Sequence, residues 1–127
     1  MSSINPLEAL KTTILDLIGV LKDHMLTEYE EQGDLVLVEF FFQRMDHEKI
    51  MDHVVTHVLP FSTKIRKRDQ TFFLNNKGIF AGLPENRIDH YSDVIVNSSR
   101  LSREDRDEIW EYFDTIVALA EKYRKQK

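Results

Sequence analysis

The histidines are the residues of this 127-residue chain that could most readily carry metal chemistry. His47 and Glu48 open a pattern close to the zinc-protease motif, but Met51 stands where that motif needs its second histidine. His53 and His57 do lie one helical turn apart. Both point away from the centre of their helix's predicted apolar arc, so a metal ion there would need donors from other segments. We favour exposed or boundary histidines, and predict no metal site and no cofactor.

No arrangement typical of an enzyme active site is recognisable in the sequence. The chain has no cysteine, which excludes a thiol nucleophile, a thiolate zinc site and disulfides. Its four glycines form neither a phosphate-binding loop nor the nucleophile elbow of a serine hydrolase. The dense carboxylates between Glu104 and Asp114 are expected to be solvated, whereas acid–base catalysis needs one desolvated member. The sequence therefore predicts a non-enzyme, although a site assembled from distant residues would leave no local motif.

One basic cluster lies outside the C-terminal tail and is formed by Lys64, Arg66, Lys67 and Arg68. Such cations neutralise phosphates, and exposed rings nearby would stack on bases, but of Phe72 and Phe73 the first is expected on the buried face with Ile65. On a helical wheel, however, the four charges surround the helix, and the net charge of the chain is −5. A groove-reading helix is disfavoured. Loose contact with nucleic-acid phosphates is the alternative function, against a segment that is solvated or paired with acids.

Two apolar segments are candidate surfaces for protein partners. The run from Leu35 to Phe42 has more apolar side chains than one face of a small bundle needs, and the connector around residue 80 adds to them. Exposed apolar patches on a monomer usually mark partner surfaces, although complete burial in a core would also account for both segments. We predict a protein-interaction or assembly module that binds a protein partner or itself, with no membrane partner. The candidate interaction residues are Phe40, Phe41, Phe42, Ile79 and Phe80.

The first and last elements that would position these residues are helices with clear ends. Asn5, Pro6 and Glu8 form a start that resembles a capping box. Apolar residues then recur at helical spacing until Gly33 supplies a stop, so we predict a helix over residues 6–31. The last helix begins at a similar pattern, Ser102–Asp105, and ends in basic residues that suit the helix dipole.

The run from Leu35 to Phe42 has no clear period. Its β-branched and aromatic content would suit a buried strand, but no convincing second strand exists to pair with it. Asp34 is also a good N-cap residue. We therefore predict a helix that is buried on most sides.

Three further helices are predicted between the run and the last helix. One starts at Asp46 and is closed by Pro60, and the next covers Thr63–Asn75. A short helix then carries Ile88, Tyr91, Val94 and Ile95, and residues 97–100 form a break. Few glycines and prolines argue against a β fold. The sequence predicts one all-α domain over residues 1–127, a compact bundle of about five or six helices with long first and last helices.

The expected location is intracellular, cytoplasmic or in a host cell. The longest stretch without Asp, Glu, Lys or Arg is His53–Thr63, which is shorter than a membrane span needs and contains Pro60. The N-terminal residues lack the basic and apolar regions of a secretory signal.

The second half of the chain carries a series of helix-cap and core patterns, namely Ile65–Phe73, Ile79–Phe80, Leu83–Pro84, Ile88–Tyr91, Leu101–Asp105, Ile109–Asp114 and Leu119–Tyr123. In these patterns, residues 65–125 resemble small uncharacterised helical proteins of nucleocytoplasmic large DNA viruses. The resemblance implies a viral accessory, assembly or transcription-associated protein in an infected cell. It carries no known functional residues across to this chain.

Overall fold

The structure, a computed structural model, describes residues 5–76 and 83–126, and within these ranges it is helical with no strand. Five helices have eleven residues or more: α1 Pro6–Val20, α2 Tyr29–Arg44, α3 His47–His57, α6 Glu85–Asn97 and α7 Arg103–Gln126. Two short helices, α4 Ser62–Arg66 and α5 Thr71–Asn75, lie between α3 and α6. The predicted compact all-α bundle with long first and last helices is confirmed.

The first helix starts as predicted but ends earlier. The Asn5 side chain accepts a hydrogen bond from the Leu7 N–H at 3.0 Å, and Pro6 opens the helix. The α-helical pattern stops at Val20 and a π-helical turn, Leu21–Met25, follows. The prediction of one helix over residues 6–31 is therefore wrong.

The side chain of Gln32 gives a physical reason for this early end. Its amide nitrogen donates to the backbone carbonyls of Lys22 at 2.6 Å and Leu26 at 2.9 Å. Carbonyls at a helix end lack intrahelical partners, so these two bonds stabilise the break. The chain then restarts as α2, and Gly33 lies inside that helix rather than after the first one.

The apolar run of residues 35–42 is helical, as predicted, but it is not buried on most sides. It forms the second half of α2, in which only Leu35 and Phe42 of the run are buried. Four of its other apolar residues, Val36, Leu37, Phe40 and Phe41, are exposed. The expected extent of burial is thus wrong, because α2 packs on the bundle along one side.

The predicted helix over Thr63–Asn75 is divided into α4 and α5. Arg68 has a positive φ of 55°, which an α-helix cannot contain. Asp69 Oδ1 accepts hydrogen bonds from the Thr71 backbone N–H at 3.0 Å and from its hydroxyl at 2.7 Å. Such local side-chain bonds compete with helix formation, and they account for the break.

The remaining helix starts agree with the sequence. α3 begins directly after Asp46, and α6 contains the predicted short helix. α7 begins with a reciprocal capping box: the Ser102 N–H donates to Asp105 Oδ2 and the Asp105 N–H donates to Ser102 Oγ, each at 3.0 Å.

The core lies between α1, α3 and α7, and α5 and α6, which contact each other, add buried side chains to it. Its aromatic part is a cluster in which the Phe73 ring lies 4.8 Å from Trp110 and 5.5 Å from Phe113, measured between centroids. The Phe72 ring belongs to the same cluster, with its centroid 6.4 Å from that of Trp110 and 5.4 Å from that of Phe113. Within the described ranges, no helix combines the length and the apolar character that crossing a membrane requires.

Candidate interaction surface

The outer side of α2 is apolar and open to solvent. The exposed fraction is 93% for Tyr29, 51% for Val36, 63% for Leu37 and 53% for Phe40. With 3.6 residues per turn, these side chains lie in one arc together with Gly33 and Arg44. We call this surface the α2 face, formed by Tyr29, Gly33, Val36, Leu37, Phe40, Phe41 and Arg44.

A groove of about 640 Å³ runs along the C-terminal half of the α2 face. The guanidinium of Arg44 lies over the Phe40 ring, 4.9 Å from its centroid. Phe41 makes an edge-to-face contact with Phe42, with 5.6 Å between ring centroids. The groove lining combines apolar side chains with charged ends, and comprises Leu37, Val38, Phe40, Phe41, Arg44, Met45, Asp46 and Lys49. An apolar floor with a charged rim is typical of protein-binding surfaces.

The N-terminal half of α2 is held by a buried carboxylate. Glu31 is fully buried and accepts two hydrogen bonds from Arg100, at 2.6 and 2.8 Å. Its Oε1 also accepts the Glu28 backbone N–H at 3.1 Å, and Oε2 lies 2.8 Å from His90 Nε2. The bonds from Arg100, followed by those from His90 and the Glu28 N–H, lower the pKa of Glu31 to about 2 against the opposing effect of burial.

A second polar contact fixes α2 one turn further along. Asp34 Oδ2 accepts hydrogen bonds from Arg87 Nε at 2.7 Å and from the Tyr91 hydroxyl at 2.5 Å. Burial, followed by the bond to Asp34, raises the pKa of Tyr91. Arg87 also lies 3.2 Å from Glu30. Arg87 and Tyr91, both in α6, thus bind one side of α2.

The C-terminal half of α2 is held from α1 and from the π-helical turn. Lys11 Nζ donates to the backbone carbonyls of Gln43 at 2.7 Å and Met45 at 3.1 Å. Lys22 forms an ion pair with Glu39 at 3.3 Å. All these contacts lie on the inner side, the flanks and the end of α2. They hold the helix in place while the α2 face stays exposed.

The predicted interaction residues on α2 do not all lie on the same surface. The role of Phe40 and Phe41 in binding a partner stays a prediction, but both are exposed and belong to the α2 face. Phe42 does not: it is 6% exposed and packs in the core, where its ring lies 6.3 Å from that of His53. Two positions along a helix turn the side chain by about 200°, so Phe40 and Phe42 cannot share a face. Ile79 and Phe80 lie outside the described residues.

Tyr29, Leu37 and Arg44 also belong to this surface, although they are not among the interaction residues predicted from the sequence. The predicted helix over residues 6–31 assigns Tyr29 to a different element and treats Gly33 as a stop. The signal that could have indicated them is the spacing 29, 33, 36, 37, 40 and 44. That spacing is helical only if one helix continues through Gly33.

The basic cluster of residues 64–68 lies beside the carboxylates of α7. Arg68 donates two hydrogen bonds to Asp114, each 2.7 Å long, which raise the pKa of the Arg68 guanidinium. Arg66 lies 4.0 Å from Glu121, and Lys64 Nζ donates to the Thr71 hydroxyl at 3.0 Å. These contacts favour the acid-paired interpretation of the cluster. Nucleic-acid binding through Lys64, Arg66, Lys67 and Arg68 stays a prediction.

The His53 and His57 rings are neighbours on α3, with 4.7 Å between centroids. Burial, followed by the charge of His57, lowers the pKa of His53, whose Nε2 is buried without a hydrogen-bond partner among the described residues. His53 also lines an apolar core cavity of about 130 Å³. An uncharged imidazole suits these surroundings.

Another group, Glu28, Glu31 and His90, has the ligand types and the closeness of a metal site, with one donor atom of each within 4.8 Å of the others. Arg100 already supplies a positive charge there. It donates two hydrogen bonds to Glu31 and lies 3.5 Å from Glu28. A metal ion would have to displace Arg100, so this group is better explained as an ion-pair network that fixes α2.

Comparison of the chain with protein-family models, with curated proteins and with solved structures gives no match. The resemblance of residues 65–125 to viral helical proteins stays a prediction. Function therefore has to follow from the chemistry of the surface itself.

Proposed function

We propose that this protein is a non-enzymatic protein-interaction module and that it binds through the α2 face. The observation that carries the proposal is the exposure of four large apolar side chains, Tyr29, Val36, Leu37 and Phe40, along one arc of a single helix. Contiguous exposed apolar patches are uncommon on monomers and mark interaction sites. Aromatic and arginine side chains, which the α2 face also supplies, dominate the binding energy of such sites.

The way in which α2 is held supports the same function. Its polar contacts, from Glu31 to Arg100, from Asp34 to Arg87 and from Lys11 to Gln43, fix both ends of the helix. A partner would therefore meet a surface that is already ordered. Binding to such a surface loses less conformational entropy than binding to a flexible segment, which favours affinity.

The proposal can be tested with a photo-reactive residue, benzoyl-phenylalanine, in place of Leu37. We expect crosslinks to a protein, either a second copy in the purified sample or another chain in a cell extract. An excess of unlabelled wild-type chain should suppress them, whereas an excess of unlabelled Phe40→Glu chain should not. The matched control is Ala118→Glu, because Ala118 is exposed on a different helix, α7, and is not part of the α2 face. This control should compete like the wild type.

Stability measurements separate loss of binding from loss of folding. Because Phe40 is half exposed, Phe40→Glu should change the free energy of unfolding by no more than about 0.5 kcal/mol. If the Phe40→Glu chain folds and competes as well as the wild type, the α2 face is not the binding surface and the proposed function is wrong.

A further inference from the structure

Six of the seven positions of the α2 face, all except Phe41, are symmetric about its midpoint. Tyr29 and Arg44 are equally distant from the point between Val36 and Leu37, and so are Gly33 and Phe40. A two-fold axis through that point would bring each position beside its counterpart on a second, antiparallel helix. Self-complementarity of this kind is what an interface between two identical copies requires.

We infer that the α2 face binds the same face of a second copy of this chain, with the two α2 helices antiparallel. This inference rests on the proposed function and names its partner. Val36 and Leu37 of both copies meet at the axis, while Gly33 of each copy faces Phe40 of the other. Tyr29 of each copy lies beside Arg44 of the other.

The shapes of the paired residues are complementary. A Cβ atom built on Gly33 would meet nothing within 4 Å, so the space outside this residue is open, and we call it the notch at Gly33. In the antiparallel register the exposed Phe40 ring of the other copy fills that notch. The Arg44 guanidinium can then leave its own Phe40 ring for the exposed Tyr29 ring of the other copy, which keeps a cation–π contact.

The helix dipoles favour the antiparallel direction. A parallel pair would align the two α2 dipoles side by side, which is unfavourable, whereas an antiparallel pair opposes them. The side-chain charges at the two ends add little to this preference. Glu28 and Glu30 already pair with Arg100 and Arg87, and Arg44 and Lys49 lie beside the exposed acids Asp46 and Glu48.

The exposed area is sufficient for a specific, modest interface. An aromatic side chain carries about 150–250 Å² of surface, so the exposed parts of Tyr29, Phe40 and Phe41 amount to roughly 300–450 Å² per copy. With Val36, Leu37 and the stem of Arg44, two copies together expose about 1,000 Å² or more on these side chains, so pairing that covers nearly all of this area reaches the lower end of specific interfaces. A heterologous partner would not need the symmetry of the face, which is why we favour a second copy.

Single cysteines test both the pairing and its direction, since the chain has no cysteine of its own. Two helices about 9 Å apart would place residue 37 of both copies, or residue 29 of one and 44 of the other, within the Cα range of a disulfide. Under mild oxidation, Leu37→Cys should therefore form a disulfide dimer about tenfold faster than Ala118→Cys, because pairing raises the local thiol concentration. Tyr29→Cys and Arg44→Cys should crosslink to each other when mixed, and each much more slowly when alone.

The outcomes separate this inference from the proposed function. Rapid Tyr29→Cys homodimers would indicate parallel pairing and overturn the inference, as would rates equal to that of Ala118→Cys throughout. If all the disulfide rates equal that of Ala118→Cys, the proposed function can still hold. It holds if position 37 forms photo-crosslinks to a different protein and an excess of unlabelled wild-type chain suppresses them. Absence of both kinds of crosslink would reject the inference and the proposed function together.

Discussion

The helices α2 and α7 use apolar residues in opposite ways. α7 buries one apolar stripe and has charged residues, such as Arg103, Glu104 and Glu111, at its exposed positions. The stripe consists of Ile109, Trp110, Phe113, Ile116, Val117 and Ala120. α2 buries Leu35 and Phe42 together with the carboxylate of Glu31, and turns its largest apolar surface outward. One helix is thus complete within the monomer, whereas the other has a second apolar side with no counterpart among the described residues.

This difference explains how α2 can present an exposed apolar surface and still be held in a fixed position in the fold. α7 is held by the hydrophobic effect acting on its buried stripe. α2 is held largely by hydrogen-bonded ion pairs on its flanks, from Glu31 to Arg100 and from Asp34 to Arg87. Polar contacts therefore position the helix, and its apolar side chains stay available for a partner.

The largest expected effect comes from the same substitution made on each helix. Phe113→Ala should lower the free energy of unfolding by about 3–5 kcal/mol, because the ring is buried between Phe72 and Phe73. Phe40→Ala should change it by no more than about 0.5 kcal/mol, because the ring is half exposed. Urea unfolding at a concentration where the chain is monomeric measures both. Equal losses would show that Phe40 belongs to the core and not to the α2 face.

The next effect tests whether polar contacts hold α2. Arg100→Met leaves the Glu31 carboxylate buried without its two strongest donors, and we expect a loss of about 3 kcal/mol in the free energy of unfolding. The control Arg103→Met removes an exposed arginine at the start of α7 and should be nearly neutral. Adding Glu31→Gln to Arg100→Met should recover part of the loss, because the uncompensated charge is then removed. A neutral Arg100→Met would contradict this role.

The start of α7 could be predicted from the sequence because its signals are local. The Ser102–Asp105 capping box and the apolar stripe lie within a few residues of one another, and the structure contains both. The start of α2 could not be predicted. The residue that stabilises the end of the first helix, Gln32, acts on carbonyls six and ten positions earlier, and the Glu31 partner Arg100 is 69 positions away.

The candidate site was predictable in part for the same reason. The apolar excess in residues 35–42 made Phe40 and Phe41 candidate interaction residues, and both side chains are exposed. It gave no means of separating them from Phe42, because a continuous apolar run has no period from which a buried side can be chosen. The direction of α2 is set by Asp34 and Arg87, 53 positions apart, and only the tertiary fold brings these together.

A pH titration isolates the Glu31 contribution to the same helix. The pKa of Glu31 is about 2 in the folded chain and close to 4.3 for an unperturbed glutamate, so the unfolded chain takes up the proton first as the pH falls. The stabilisation is therefore complete above about pH 5 and is lost between about pH 5 and pH 2, with a change of about 2–3 kcal/mol. Glu31→Gln should show a correspondingly smaller decrease over this range. Parallel stability curves for the two chains would contradict the assignment.

The smallest expected effect distinguishes the contribution of α2 to the stability of the monomer from its contribution to self-association. Gly33 and Gly19 both lie in helices, and an added Cβ meets nothing within 4 Å at either position. Each glycine-to-alanine substitution should therefore raise the free energy of unfolding of the monomer by about 0.5–1 kcal/mol.

Only Gly33 lies on the α2 face, where an added methyl group enters the space that we assign to Phe40 of a second copy. Sedimentation analysis should thus show weaker self-association for Gly33→Ala and wild-type association for Gly19→Ala. If both variants gain stability and associate like the wild type, the notch at Gly33 has no part in the interface and the antiparallel register needs to be replaced.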